Sequence, residues 1–168
     1  MDDSPAAVRI AVIGLGNDYR HDDGVGWEVV ARLALRGKQR PLPRGTRLMC
    51  TDGDPTRLIG AWEGVHLAVV VDAAHTHPAR PGRVHRLRLA GDLPPTRPGG
   101  TSSHGFALGD TLQLARTLGR LPGELLVYAV EAADTSLGTG LSPQVAAAVG
   151  PLVQRIEGDL VRHVPAGR

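Results

Sequence analysis

The sequence predicts an α/β fold, a doubly wound three-layer sandwich whose central, mostly parallel sheet of about five strands carries helices on both faces. Two observations predict it. Apolar, β-branched runs alternate along the chain with segments of helical periodicity, and the main runs are apolar throughout, as strands covered on both faces are. At 168 residues the chain can bury a core of its own. We expect residues 1–168 to form one domain, with about 7 N-terminal and about 5 C-terminal residues flexible.

The first half of the chain contains two predicted strands and two predicted helices. VRIAVIG (8–14) is a continuous apolar run, the pattern of a central strand. From 23 to 35 the apolar residues recur at helical spacing, and Gly37 stands where a C-terminal cap belongs. A second strand, TRLMCTD (46–52), precedes the short helical segment 54–62. That segment opens with Asp-Pro, an N-cap residue followed by proline at the first helical position.

The middle of the chain contains the strongest strand and a weaker one. HLAVVVDAA (66–74) is the most apolar run and predicts a buried strand. GRVHRLRLA (82–90) alternates apolar and polar residues, which is the pattern of an edge or half-exposed strand. Residues 91–103 are rich in proline and glycine and lack periodicity, so we expect a loop. Loops of this length in compact domains are often functional.

The C-terminal part of the chain contains two predicted helices around a strand. The apolar residues that predict the first helix recur at helical spacing and are Leu108, Leu112, Ala115 and Leu118. ELLVYAVEA (124–132) follows as a buried strand. The last helix is expected from Pro143, with Ser142 as its N-cap, and Gly150-Pro151 should kink or split it.

Composition and charge exclude several classes of protein. The formal net charge is only +2, the arginines are scattered and Lys38 is the only lysine, so the basic stripe of a nucleic-acid-binding protein is missing. Cys50, the only cysteine, allows neither an intrachain disulfide nor an all-thiolate metal site, and we expect it to be a small buried side chain. No run approaches the roughly 20 apolar residues of a membrane span, and the acidic start does not resemble a signal peptide. We therefore expect a cytoplasmic protein, and a monomer.

The stretch GLGNDYRHDD (14–23) follows a strand and precedes a helix, as the glycine-rich motif of a dinucleotide-binding fold does. Tyr19, however, stands where that motif requires its third glycine. Asp22 and Asp23 stand at the start of the helix whose N-terminus would have to receive a pyrophosphate, and their negative charge repels phosphate. A nucleotide-binding site is therefore not expected here.

Three candidate ligands stand near the same edge of the predicted sheet. Asp23 follows the first strand, Asp72 closes the strongest strand, and His104 opens the helix after the loop. Ligand sites in such sheets lie at the carboxyl ends of the strands, and two carboxylates with one imidazole suit a divalent transition metal. Taken singly, each also has a structural interpretation, because Asp residues cap helices and turns and a helix-start histidine is often satisfied at the surface. Asp22 is expected to be the better helix cap.

The other histidines are weaker candidates. His75 and His77 form an H-x-H pair directly after Asp72 that could bind metal, but we expect both to be exposed in a turn. His21, beside the acids, is a similar case. The remaining histidines are expected to be structural or exposed, and they are His66, His85 and His163.

Gly24 and Gly26 stand in the predicted first helical turn, where glycine costs about 1 kcal/mol in helix propensity. Two explanations stay open for them. They could let a substrate or metal approach the backbone closely, or they could allow tight packing of the helix on the strand.

The motifs of this chain resemble those of the hydrogenase maturation endopeptidases, which trim the C-terminus of the large subunit of nickel–iron hydrogenases. The matching pieces occur in family order and cover nearly the whole chain. They are GLGNDYRHDDGVG (14–26), DGDPTRLIGAW (52–62), VVVDAA (69–74) with PGRV (81–84), SSHGFALGDTL (102–112) and VYAVEAADTSLGTGLSPQV (127–145).

The resemblance implies an endopeptidase that removes the C-terminal extension of a hydrogenase large-subunit precursor whose nickel has already been inserted. Matched residue by residue, the family's nickel-binding positions become Asp23, Asp72 and His104. These side chains would complete the coordination of a nickel ion that the precursor supplies, so that the protease recognises metal loading before it cuts. His75 and His77 depart from the family pattern, which leaves an added ligand or an altered specificity open.

The resemblance also leaves the chemical step open. Nickel can polarise the scissile carbonyl or lower the pKa of a bound water, or Asp23 or Asp72 can act as general base. The alternative function is a non-enzymatic nickel-binding or chaperone module that acts on the hydrogenase precursor. It differs from the protease in binding metal without cleaving any precursor.

Overall fold

The computed structural model describes residues 9–90 and 103–164, and of residues 90 and 103–107 it describes the backbone alone. The ends that the sequence predicts to be flexible lie almost entirely outside these residues. The predicted loop lies outside them up to residue 102, and residue 103, the last of that segment, already belongs to a helix.

In the described residues, five strands and four α-helices follow one another along the chain. The strands are β1 (Ile10–Leu15), β2 (Thr46–Thr51), β3 (Leu67–Ala74), β4 (Val84–Ala90) and β5 (Glu124–Glu131). The helices are α1 (Val25–Gly37), α2 (Pro55–Trp62), α3 (Ser103–Thr117) and α4 (Pro143–His163), and a 3-10 turn (His21–Gly24) leads into α1. None of these helices is long and apolar enough to cross a membrane.

The strands form a five-stranded sheet in the order β2-β1-β3-β5-β4. Strands β1, β2, β3 and β5 run parallel, and β4 pairs with β5 in the antiparallel sense at one edge. Every residue of β1 and β3 is buried, because both strands lie inside the sheet with helices on each face. The predicted mostly parallel, doubly wound sheet is confirmed, and so is the edge position of β4.

Two hydrophobic clusters cover the opposite faces of the sheet. Helices α1 and α4 pack on one face against residues such as Val12, Val69 and Tyr128. Helices α2 and α3 pack on the other face against residues such as Ile13 and Val70. Successive residues of a strand point to opposite faces, so the apolar runs of β1 and β3 supply both clusters at once. This is the predicted three-layer arrangement.

The carboxyl ends of β1, β2, β3 and β5 meet at one edge of the sheet, because these four strands are parallel. The segments that follow them are residues 16–24, 52–54, 75–83 and 132–142. These segments therefore gather at that edge, which is the edge at which the sequence predicts the functional residues.

The N-termini of α2 and α4 differ in how they are capped. Asp54 Oδ1 accepts the N–H of Arg57 at 3.1 Å, and Pro55 follows at the first helical position, as predicted. Ser142 occupies the N-cap position of α4, but its side chain makes no capping hydrogen bond. Its hydroxyl donates to Asp22 instead, at 2.8 Å.

Two expectations about helix ends and packing are wrong, and of the predicted kink or split at Gly150-Pro151 the split does not occur. Gly37 is the last residue of α1 and not the cap beyond it. Helix α4 continues through Pro151 without splitting, because Val149 and Leu152 beside the proline are buried in the core. Burial of such side chains, at about 1.5–3 kcal/mol each, offsets the roughly 3 kcal/mol cost of an internal proline. Leu118 lies beyond α3 and is 52% exposed, so it does not belong to the packed face of that helix.

The start of α1 is in close contact with the sheet. A Cβ atom on Gly26 would lie 2.3 Å from the carbonyl oxygen of Val71 and 2.9 Å from the nitrogen of Leu15. A Cβ atom on Gly24 would lie 2.8 Å from the Cα of Asp18. Side chains do not approach a backbone this closely without displacing it. Of the two explanations, packing of the helix on a strand accounts for Gly26, whereas Gly24 lies in the 3-10 turn and packs on the loop at Asp18.

The variant Gly26→Ala should be destabilised, because its new methyl group would collide with the carbonyl of Val71. We expect the free energy of unfolding, measured by urea denaturation, to fall by about 1–3 kcal/mol. Gly60→Ala in α2 is the matched control, since no atom of the described residues that it could clash with lies within 4 Å of its Cβ position. There we expect a gain of about 0.5–1 kcal/mol from helix propensity. Equal stability of Gly26→Ala and the wild type would contradict the packing explanation.

Candidate functional site

Two of the predicted ligands line the same small cavity at the carboxyl edge of the sheet. Asp23 reaches it from the 3-10 turn before α1, and Asp72 reaches it from near the end of β3. The cavity has a volume of about 120 Å³, and Leu58 of α2 and Thr111 of α3 are among its walls. Sites for small organic ligands are about 300–1,000 Å³. The cavity is therefore suited to an ion and the end of a larger substrate rather than to a whole small molecule.

Backbone N–H groups orient both carboxylates. Asp23 Oδ2 accepts the N–H of Asn17 at 3.0 Å. Asp72 is only 4% exposed, and its Oδ1 accepts the N–H of Ala73 at 2.8 Å. Each of these bonds orients the carboxylate, which has about four lone-pair positions. Two carboxylates on one cavity are an oxygen donor set that fits a divalent metal ion.

His104 lies in the first turn of α3, as predicted, and its side chain lies outside the described residues. It precedes Leu108, another residue of the cavity wall, by about one helical turn. Among the side chains that the structure describes, no group of three or more His, Cys, Asp and Glu residues is placed to hold a metal ion. Participation of His104 beside the two carboxylates therefore stays a prediction.

Asp52 is a third carboxylate of the cavity and is not among the candidate ligands that the sequence pattern predicts. Its Oδ1 accepts the N–H of Asp54 at 3.2 Å, and its Oδ2 pairs with Arg57 Nη1 at 3.0 Å. These two partners, the N–H of Asp54 foremost, hold the pKa of Asp52 below its ordinary value. The signal that could have found this residue is its position, because Asp52 ends its apolar strand segment much as Asp72 does.

Asp22 is fully buried and is not the helix cap that the sequence predicts. Its Oδ2 accepts the N–H groups of Ala133 and Asp134 at 2.8 and 3.0 Å. Its Oδ1 accepts the N–H of Ser142 at 2.7 Å, and the Ser142 hydroxyl completes the set of four bonds. All four donors belong to the segment between β5 and α4, 111 to 120 residues along the chain. Asp22 faces this segment rather than the start of α1 because the segment offers its buried carboxylate four hydrogen-bond donors.

The same segment holds the turn around His21. The His21 N–H donates to the carbonyl of Gly138, and the Gly138 N–H donates to the carbonyl of Tyr19, both at 2.9 Å. The ring Nδ1 of His21 lies 3.0 Å from the carbonyl oxygen of Gly140. His21 has a φ of 42°, a left-handed conformation that residues other than glycine seldom adopt. His21 thus supports the turn that carries Asp23 and lies outside the described wall of the cavity.

The other histidines make mostly structural contacts. His66 Nδ1 accepts a backbone N–H at 3.0 Å, and His163 Nε2 lies 2.6 Å from Glu124 Oε2, so both are structural as predicted. His77 is exposed as expected, whereas His75 is half-buried. Neither His75 nor His77 is among the described residues that line the cavity of the two carboxylates.

Cys50 is exposed, and the prediction that it is buried is wrong. Its strand, β2, forms an edge of the sheet, so one side of the strand lacks a neighbouring strand to cover it. Cys50 lines a second, wider cavity of about 440 Å³ together with Leu48 and Trp27. The periodicity of β2 predicted a strand correctly but did not reveal its place in the sheet.

Comparisons with known proteins relate the chain to hydrogenase maturation proteases. The model of the HycI hydrogenase maturation protease family matches residues 37–159. The hydrogenase 2 maturation protease of Escherichia coli K12 is 26% identical over 149 residues, which are 89% of this chain and 88% of that protein. The solved structure of the hydrogenase maturating endopeptidase HybD from E. coli matches with a TM-score of 0.75 at 23% identity, over 93% of this chain and 94% of that one. HybD from Thermococcus kodakarensis, a nickel–iron hydrogenase maturation protease, matches with a TM-score of 0.68 at 24% identity, over 90% and 99% of the two chains.

Removal of the Asp22 carboxylate should destabilise the whole chain. In Asp22→Ala, four donors of the β5–α4 segment lose their acceptor and a buried cavity is left, and we expect the free energy of unfolding to fall by at least about 3 kcal/mol. Asp134→Asn is the matched control in the same segment, because that carboxylate is exposed and its hydrogen bonds within the described part of the chain go to nearby Ser136. We expect less than about 1 kcal/mol from it. Urea denaturation of the wild type and the two variants measures these free energies of unfolding. Similar losses of stability in both variants would contradict a special role for Asp22.

Asp22 should also contribute to loss of stability in acid. Burial by itself raises the pKa of Asp22, but the N–H and hydroxyl donors outweigh it and place the pKa below its ordinary value. A carboxyl whose pKa is lowered on folding stabilises the protein above its unfolded pKa of about 3.9, and this contribution is lost as the pH falls through the folded pKa. We expect the free energy of unfolding of Asp22→Asn to fall less steeply than that of the wild type below about pH 4. Parallel curves in urea denaturation would contradict this assignment.

Proposed function

The chain belongs to the hydrogenase maturation protease family and is a peptidase, and we propose that it removes the C-terminal extension of a nickel-loaded hydrogenase large-subunit precursor. The observation that supports the proposal best is the shared cavity of Asp23 and Asp72 at the carboxyl edge of the sheet. This edge is where α/β folds of this type bind their ligands. The relatives named above are maturation proteases of hydrogenases, which supports a hydrogenase precursor as the substrate.

Recognition of the precursor would rest on the oxygen donors of the cavity. In this proposal Asp23 and Asp72 bind the nickel ion that the precursor carries, with His104 as the nitrogen ligand. The donor set fits, because carboxylates and imidazole both bind divalent first-row metals. Three protein ligands leave coordination positions for groups of the precursor and for water. A precursor without nickel would lack this contact and would bind more weakly.

The cleavage step needs an activated water and a polarised peptide carbonyl. A carboxylate within reach of the water can accept its proton, and both Asp23 and Asp72 are oriented by backbone N–H groups for such a role. The nickel of the substrate can polarise the scissile carbonyl or lower the pKa of the water. The division of these tasks between the two carboxylates stays open, and so do the predictions of a monomer and of a cytoplasmic location.

The proposal predicts nickel-dependent processing by the purified protein. Nickel-loaded precursor should lose a C-terminal peptide, detected as a mass loss, whereas nickel-free precursor should stay intact. Asp23→Asn, Asp72→Asn and His104→Ala should each slow the cut by at least about 100-fold, the usual size of a lost catalytic group. Asp18→Asn is the matched control, because this exposed carboxylate lies on the same loop but is not among the described residues of the cavity wall.

Each alternative has its own outcome in this experiment. Equal cutting of both precursors would contradict recognition through nickel. Tight nickel binding without cleavage of either precursor would favour the nickel-binding or chaperone module. A variant that cuts at the wild-type rate while its thermal unfolding is unchanged would remove that residue from the site.

A further inference from the structure

His85 lies in the same cross-strand row of the sheet as Asp72. The sheet register pairs Asp72 of β3 with Ala129 of β5, and Ala129 with His85 of β4. Residues directly opposite each other point to the same face of a sheet, so all three lie on the face covered by α2 and α3. Neighbouring strands are about 4.8 Å apart, which puts the Cα atoms of Asp72 and His85 about 10 Å from each other.

The residue between them is small and partly exposed. Ala129 interrupts the otherwise buried run of β5 from 125 to 131, in which its neighbours on both sides are buried. The small side chain of Ala129 is thus the one that separates Asp72 from His85 along this row. A peptide bond seated over Ala129 would have Asp72 on one side and His85 on the other.

Glu131 places the imidazole of His85 in this row. Its side chain is 5% exposed, whereas that of His85 is 46% exposed, and His85 Nε2 lies 3.4 Å from Glu131 Oε2. The other oxygen of Glu131 accepts the hydroxyl of Thr76. The Thr76 hydroxyl first, and then the backbone N–H of Arg80 and the imidazole, hold the pKa of Glu131 below its ordinary value. Glu131 is therefore an ionised, buried carboxylate behind an accessible imidazole.

The backbone of Glu131 also binds the segment that leads into β4. Its carbonyl accepts the N–H of Gly82 at 2.8 Å, and its N–H donates to the carbonyl of Arg83 at 2.9 Å. Main chain and side chain of Glu131 thus both hold residues 76–85. Among the described residues, Glu131 Oε2 has no partner with hydrogen-bond geometry, although His85 Nε2 lies 3.4 Å away. A protonated imidazole is the group beside it that would satisfy this oxygen.

We propose that His85 is a further catalytic residue of the peptidase, a proton donor to the leaving nitrogen, and that Glu131 is its positioning residue. The inference rests on the proposed function, because it assigns a role in cleavage of the same peptide bond. Nε2 lies beside Glu131, so Nδ1 is the nitrogen left to face the substrate. A carboxylate behind a histidine that acts on a substrate is the arrangement by which many hydrolases orient an imidazole.

The step balances without any co-reactant other than water. The water gives one proton to a carboxylate of the cavity, Asp23 or Asp72, and its oxygen adds to the scissile carbonyl carbon. The carbon–nitrogen bond then breaks, its electron pair stays on nitrogen, and this nitrogen takes the proton from His85 Nδ1. The products are a new carboxyl terminus and a free amine on the released peptide. Transfer of the proton from the carboxylic acid to the neutral imidazole through solvent restores the enzyme.

The test compares single-turnover cleavage of nickel-loaded precursor by the wild type and by His85→Ala. We expect the maximal rate to fall by at least about 100-fold while the precursor concentration at half-maximal rate stays the same. Added imidazole should restore part of the rate of His85→Ala, which a purely structural role of the side chain would not permit. His163→Ala is the matched control, since His163 also pairs with a glutamate, 2.6 Å away, but at the opposite end of β5. It should cut at the wild-type rate.

Glu131→Gln tests the positioning role. Alone it should slow the cut, but in the His85→Ala background it should add almost nothing, because it acts through the imidazole. An additive loss would overturn the role of Glu131. Wild-type cleavage by His85→Ala, or a lost rate that imidazole does not restore, would overturn the role of His85 and leave the proposed function standing. No cleavage by the wild type itself would overturn the proposed function.

Discussion

The candidate site depends on the buried carboxylate of Asp22. A charge without solvent contact is stable only where hydrogen bonds replace water, and Asp22 accepts four of them from the segment between β5 and α4. These bonds connect the loop after β1 with the segment after β5, across the end of β3 that lies between them. The turn that carries Asp23 is thereby held beside Asp72. Stability and site geometry rest on the same four bonds.

Two adjacent aspartates have opposite environments because of the turn in which they lie. The segment His21–Gly24 is a 3-10 turn, with about three residues per turn, so consecutive side chains point about 120° apart. Asp22 points into the β5–α4 segment, and Asp23 points into the cavity with its Oδ2 on the N–H of Asn17. The dense backbone packing at Gly26 fixes the orientation of the turn relative to the sheet. The carboxylate of Asp22 therefore stabilises the fold, whereas that of Asp23 lines the cavity.

The sheet brings together residues that are far apart in the chain. Parallel strands place Asp23, Asp52 and Asp72 at one carboxyl edge, since each follows or ends a strand of the parallel set. The antiparallel strand β4 reverses direction and brings His85 to the same edge. Its register against β5, and not its sequence pattern, decides that His85 faces the same side as Asp72. A shift of one residue would turn His85 to the face of α1 and α4.

The sequence by itself determined the strands, the layers and the shared edge of Asp23 and Asp72. Apolar periodicity is a local property, and strands that alternate with helices favour a parallel sheet, in which the carboxyl ends of the strands meet at one edge. Only the tertiary structure decided the partners of Asp22, the exposure of Cys50, the continuity of α4 through Pro151 and the pairing of His85 with Glu131. The physical reason is the same in each case. Donors, neighbouring strands and buried contacts that lie many residues away set the free energy of these groups, and no local pattern records them.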